Sequence, residues 1–230
     1  MQIRQYWDGF VSLLFPPLCV ACDEVLLHQE HLLCASCLYH LPINDYHLFA
    51  ENEATKRLRG KADIKTATSY LSFEKSSLVQ SIIHKLKYQR RYEIGQFFGE
   101  MLGRQLLLSP FYDTIDLIIP IPIHKKKRRT RGYNQSEHIA FGISKMMDIP
   151  VDTQSLVRLV HTSSQTSQHR LERYDNVENV FACLYPEKLR DRHILLVDDV
   201  LTTGATIASA VKTIKDSTSC KVSVATLAIA

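Results

Sequence analysis

No stretch of this 230-residue sequence stays apolar for the roughly 18–20 residues that a membrane-crossing helix needs. The nearest candidate, "FVSLLFPPLCV" at 10–20, is broken by Pro16 and Pro17. It lacks a strong basic leader and a small-residue cleavage site, which argues against an export signal and for a cytoplasmic protein. Missing too are the Gly-x-Gly-x-x-Gly fingerprint and the Walker phosphate loop, so neither of those nucleotide-binding designs is expected. There is no internal repeat and no low-complexity segment. A large net charge is also absent: at +4, with a pI near 8.7, charge alone does not imply a nucleic acid partner.

What is present reads as an ordinary globular chain, 45% hydrophobic and 23% charged, long enough for one α/β domain and a small appendage. Its positive charge is local, because "KKKRRTR" at 125–131 gathers six cations. Near the amino terminus Ile3, Trp7, Phe10, Val11 and Leu14 fall on one helical face. A short helix packed on its own protein is the expectation there, and peripheral contact with a membrane surface is the alternative.

Four of the six cysteines, Cys19, Cys22, Cys34 and Cys37, form C-x2-C, eleven residues, C-x2-C. Two such knuckles converge on one tetrahedral ion, so structural zinc is expected, with disulfides or redox-active pairs as alternatives. Four sulfur ligands leave no open position for water, and the ion would staple a segment too small for its own core. His28, His31 and His40 are not needed as ligands, and Cys183 and Cys220 read as buried, inert thiols.

The chain divides into an amino-terminal helix and four-cysteine module (1–45), an irregular connection (46–65) and a main domain (66–230). In the last, "TATSYLSF" alternates like a half-exposed strand, and two helical patterns follow, on Leu78 to Leu86 and Ile94 to Leu102. Lys85, Lys87, Arg90 and Arg91 cluster between those helices, as a solvated face or an anion-binding edge. "IDLIIPIP" reads as a buried strand, 125–131 as a basic loop, and "NQSEHIAFGISKMM" as a helix capped at Asn134 or Ser136. "VDTQSLVRLV", "VENVFACL", "HILLVDD" and "KVSVATLAIA" read as strands, with a helix on "TGATIASAVKTIKD". This alternation predicts a parallel sheet flanked by helices.

One stretch is unusual: "ILLVDDVLTTGAT" at 194–206 ends a buried strand in paired acids, Asp198 and Asp199. The turn after it points several backbone N–H groups at one spot, which suits a phosphate, with Gly204 allowing close approach and Thr202, Thr203 and Thr206 adding hydroxyls. Carboxylates one sugar away from a phosphate cradle describe a ribose 5-phosphate. The segment resembles the signature of type I phosphoribosyltransferases, which bind 5-phosphoribosyl 1-pyrophosphate (PRPP). Together with the cysteine module, "PIPIHKKKRRTRGYNQS" and "HTSSQTSQHRLERYDNVENVF", it makes the chain similar over nearly its full length to the ComF family of competence proteins.

The resemblance implies a type I phosphoribosyltransferase-like sheet with a zinc module, and PRPP bound with magnesium. It implies that Asp198 and Asp199 hold the ribose hydroxyls, and that Thr202, Thr203, Gly204, Ala205 and Thr206 hold the 5-phosphate. Lys126, Lys127, Arg129 and Arg131 would stabilise the departing pyrophosphate, and Gln165, Arg170 and Arg173 would sit in a hood over the site. Where the family often has arginine this chain has Lys127, and Gln168 stands where an apolar residue is common. Glutamine-dependent ammonia transfer is not expected, because the chain opens on Met1-Gln2 rather than on a cysteine. The family resemblance implies work in natural transformation, with single-stranded DNA and other DNA-uptake proteins as partners. A single-stranded-DNA-binding accessory without turnover, using the basic runs and Tyr88, Tyr92 and Tyr133, is the competing reading.

Overall fold

The computed structural model describes residues 15–73, 77–159 and 180–230. The apolar helical face at 3–14 and the expected hood at 161–176, with Gln165, Arg170 and Arg173, lie outside them. Four strands form one sheet in the order β1-β6-β5-β2. They are β1 (Ala67–Ser72), β2 (Leu117–Pro120), β5 (His193–Leu201) and β6 (Lys221–Ile229), and every pairing between them is parallel. Pro120 sits at the last paired position of β2, where its missing N–H interrupts little.

Side chains alternate across this sheet between two cores. Leu195 and Val197 face one with Leu86, Phe98 and Ile139, while Ile194 and Leu196 face the other with Leu58, Ile207 and Val211. The first face is covered by α3 (Ser77–Tyr88), α4 (Tyr92–Leu107) and α6 (Gln135–Met147), the second by α2 (Glu53–Leu58) and α7 (Ala205–Ser217), while the short α1 (Ala35–Tyr39) carries Cys37. A strand between two such layers must be apolar throughout, which explains the unbroken run before Asp198. Among the described residues no helix is long and apolar enough to cross a membrane.

Four expectations change. β1 is buried over five of its six residues rather than half exposed, because core lies on both its faces. Its free edge is covered as well, by Asn44 donating to the Tyr70 carbonyl and Ser72 donating to that of Pro42. β3 (Leu156–Arg158) and β4 (Phe181–Cys183) pair antiparallel in a separate two-stranded ladder and do not extend the parallel sheet. The basic run 125–131 is a short helix, α5 (Lys125–Arg131), rather than a loop. His124 caps it by accepting from the Lys126 amide, and Gly132 ends it at φ +84°. Lastly, the connection at 46–65 holds α2, which opens with a reciprocal capping box between Asn52 and Thr55.

The helix pair α4 and α6 packs backbone to backbone. Gly95, Gly99 and Gly103 recur every fourth residue along α4 and meet Ile139, Gly142 and Ile143 of α6. This contact fixes α6, whose first turn reaches the carboxyl end of the sheet.

Candidate functional site

The paired acids end up where open α/β sheets present ligands, toward the carboxyl end of β5, one of the two interior strands. β5 runs on through them to Leu201, so neighbouring carboxylates take different surroundings. Asp198 Oδ1 accepts from Ser136 Oγ at 3.0 Å and from the Asp199 amide at 2.8 Å. Asp199 Oδ2 lies 3.1 Å from Lys87 Nζ, at the end of α3. Burial, and then the Asp199 charge, push the Asp198 carboxyl up to about 7, against the pull of the Asp199 amide, Ser136 and Lys87.

Immediately after β5 the chain turns through Thr202 and Thr203 into α7. Gly204 takes φ +80°, and a Cβ there would stand 2.7 Å from Leu58 Cδ2. Glycine is therefore required by conformation and by space. Lys61 Nζ donates to the Thr203 carbonyl at 2.9 Å and Arg57 Nη1 to that of Thr202 at 3.2 Å, so α2 and its flank brace the turn from outside. Thr202, Gly204, Ala205 and Thr206 bound a depression of about 20 Å³ beside Asp198. The depression lies at the positive end of α7, where the Ala205 amide bonds only the Thr203 hydroxyl, at a long 3.4 Å.

A larger cleft of about 390 Å³ joins these parts. Asp198, Asp199, Thr202 and Thr206 line it together with Lys87, Lys127 and Arg131. The helical form of 125–131 decides which cations enter. Lys127 and Arg131, four apart, face this cleft, whereas Lys126 and Arg129 line a neighbouring one of about 700 Å³ with Val157, Arg158 and Leu159. Arg131 Nη1 also donates to Gln135 Oε1 at 2.9 Å, and its guanidinium lies 5.6 Å from the Tyr88 ring centre.

The cations at 85–91 disperse rather than forming one face. Buried Lys85 turns to Asp23 and the Cys19 carbonyl, Lys87 to Asp199, and Arg91 to Glu93. Tyr133 is drawn inward to bond the Leu86 carbonyl, while Tyr88 and Tyr92 remain exposed. Lys87, left by the sequence between a solvated face and an anion-binding edge, and Ser136, read there as a helix cap, both reach the acids, and Arg158, which the sequence did not single out, lines the same cleft. The one hint for Lys87 was its standing two residues from Lys85, which on a helix sends the two to different sides.

The cysteine module stands apart from this cleft. Sγ atoms of Cys19, Cys22, Cys34 and Cys37 lie within 4.8 Å of one another. The Cys22–Cys34 separation is 3.8 Å, the edge expected of a tetrahedron with bonds of about 2.3 Å to zinc. Backbone amides of Cys34 and Cys37 donate to the sulfurs of Cys19 and Cys34, each at 3.4 Å. Burial raises the Cys19 thiol, but amides of Cys34, Cys22 and Ala21 outweigh it and bring the group to about 7. Donor set and spacing fit a metal such as zinc. Of the other two cysteines expected to be buried, Cys220 is and Cys183 is only partly so, and burial raises both thiols.

The phosphoribosyl transferase domain family matches residues 135–229, from the start of α6 to the end of β6. The chain is 29% identical to DNA utilization protein YhgH of Escherichia coli O157:H7 over 194 residues, covering 83% of this chain and 74% of that protein. It is 28% identical over 130 residues to Competence protein F of Haemophilus influenzae, covering 55% of this chain and 57% of that relative. Among solved structures, a glutamine PRPP amidotransferase from B. subtilis complexed with ADP and GMP aligns with a TM-score of 0.43 at 15% identity. That alignment covers 62% of this chain but only 30% of the amidotransferase chain. The parallel sheet flanked by helices is phosphoribosyltransferase-like, and the relatives are consistent with the ComF family.

Proposed function

We propose that this chain, a phosphoribosyltransferase-fold homologue of the competence and DNA utilization proteins, binds PRPP in the β5–α7 cleft and serves in DNA uptake. The observation that carries the reading is the shared cleft of about 390 Å³, lined by the paired carboxylates, by Thr202 and Thr206 of the turn that opens a helix, and by the cations Lys87, Lys127, Arg131 and Arg158. The ribose diol donates to Asp198 and Asp199, the 5-phosphate takes the amides of residues 202–206, and the pyrophosphate meets Lys127 and Arg131. Displacement of pyrophosphate leaves positive charge on the ribose and negative charge on the leaving group, which the two cations stabilise. Magnesium, bound by substrate oxygens and water, would supply further neutralisation of the diphosphate. The test is calorimetric titration of PRPP with magnesium, followed by a screen of bases, amines and DNA for pyrophosphate release. Failure to bind PRPP at millimolar concentration would sink the reading.

A pH dependence follows from Asp198, raised to about 7 in the free protein. Diol donors favour the ionised carboxylate, so binding expels a proton. Affinity for PRPP should therefore rise with pH up to about 7, by at most about tenfold per unit, and level off above it. Asp198→Asn should bind more weakly and lose this slope, which separates it from titration of PRPP itself. Calorimetry in buffers of different ionisation enthalpy counts the proton.

We also infer one structural zinc per chain. Cys19, Val20, Leu33 and Cys37 share a core cluster with Ile82 and Ile83 of α3, so the module is packed as well as ligated. Cys19→Ser with Cys22→Ser, or chelation, should open residues 18–42 to proteolysis while the parallel sheet stays folded. Purified, reduced protein without stoichiometric metal would contradict this.

A further inference from the structure

Helix α5 has a second face. Lys126 and Arg129 point away from the paired acids into the cleft of about 700 Å³, whose other wall is Val157, Arg158 and Leu159. We propose that this second cleft binds the phosphate of a nucleotide, beside the PRPP cleft and not in place of it. The proposal rests on the PRPP reading only for the identity of that neighbour.

Packing does not explain the helix: α5 has no buried residue. Pairing does not explain it either. Among the described residues Arg128 meets Glu137 at 3.5 Å, while Lys125, Lys126 and Arg129 have no carboxylate within salt-bridge distance. Like charges three and four apart on a helix repel, and among the described residues no carboxylate offsets that repulsion at Lys126 and Arg129. A phosphate between Lys126 and Arg129 would, through charge-assisted bonds that a guanidinium can make in pairs.

The opposite wall says what the phosphate is attached to. Val157 and Leu159 give an apolar surface, and the Leu159 N–H donates a hydrogen bond to the Val180 carbonyl at 2.9 Å, which holds the residue in place. A cationic wall facing an apolar one suits a ligand with a charged group and a flat, weakly polar ring, which is a nucleotide. Inorganic anions have no use for the apolar half.

Arg158 links the two sites. It lines both clefts, and its guanidinium lies 5.4 Å from the ring centre of buried Phe181. The stacked ring fixes the cation at the boundary, where each neighbouring anion has a claim on it. Two anionic ligands then stand side by side with one arginine between them, an arrangement that one extended pyrophosphate does not need.

The experiment titrates thymidine 5′-monophosphate into the full-length, metal-loaded protein, with and without saturating PRPP and magnesium. We expect one nucleotide per chain, still bound when PRPP is present. Lys126→Ala with Arg129→Ala should weaken the nucleotide by about tenfold or more and PRPP by less than about threefold. Lys127→Ala with Arg131→Ala should do the reverse. These positions are solvent-facing, and unchanged thermal melting checks that the fold survives. Competitive displacement of the nucleotide by PRPP would overturn the proposal, as would equal binding of thymidine lacking its phosphate or of inorganic triphosphate. If PRPP fails to bind while the nucleotide still answers to Lys126 and Arg129, the PRPP reading falls and this one stands. Loss of nucleotide binding alone has the opposite meaning.

Discussion

Gly99→Ala should destabilise the protein by about 3 kcal/mol, although alanine is the better helix former. In an exposed helix the same change gains up to about 1 kcal/mol, so the sign itself is the test. A Cβ on Gly99 would stand 2.2 Å from the Ile139 carbonyl oxygen and 3.0 Å from Gly142 Cα. Both are backbone, which cannot rotate away. The contact is reciprocal, because a Cβ on Gly142 would stand 2.3 Å from the Gln96 carbonyl oxygen. To admit the methyl, α6 must move off α4, and Ser136 at its first turn moves with it. Denaturant unfolding followed by circular dichroism measures the loss, and a stabilised variant would show that the helices separate freely. A fall in PRPP affinity in the folded fraction is expected alongside, since Asp198 loses its hydroxyl donor.

Those glycines show where sequence reading stops. Spaced by four, they lie on one stripe of α4, yet a stripe of small residues does not name its partner. The strands before Pro120 and Asp198 were legible because burial on both faces demands unbroken apolar runs, and those runs sit where expected. Cysteine spacing was legible for a similar reason, since a tetrahedral ion restricts the loops that reach it. The run 125–131 misled because six cations suggest a solvated loop. Lysine and arginine are in fact good helix formers, and His124 and Gly132 supply the stops. Its helical form then decides which cations share a cleft with the acids, something no linear pattern records. The sequence left Lys87 undecided between a solvated face and an anion-binding edge for a different reason: its partner Asp199 lies 112 positions further along the chain, and only the sheet's topology brings the two together.

Replacing both acids, Asp198→Asn with Asp199→Asn, should weaken PRPP binding by on the order of 2–4 kcal/mol while leaving the fold intact. An amide nearly keeps the shape of a carboxylate, but it forfeits the charge that strengthens bonds to the ribose diol. Inorganic phosphate should bind the variant no worse than the natural protein, because the cradle proposed for it is the backbone of residues 202–206, and two repelling charges have gone. Stability separates the two positions. The Asp198 carboxyl, raised from 3.8 to about 7, keeps a proton in the folded state that the unfolded chain has already lost. Stability from this group is therefore greatest in acid and declines as pH climbs from about 4 to about 7, with the full cost felt above. Asp198→Asn alone removes that cost, so its Tm at pH 8 should exceed the natural protein's, and the gap should close at pH 4. Asp199→Asn alone strands the Lys87 ammonium, 3.1 Å from a carboxylate it then lacks, and should lower Tm instead. Melting curves of both single variants at the two pH values, with titrations of PRPP and phosphate into the double variant, read all of these. Equal PRPP affinity in the natural and doubly substituted proteins would mean that these acids do not meet a sugar.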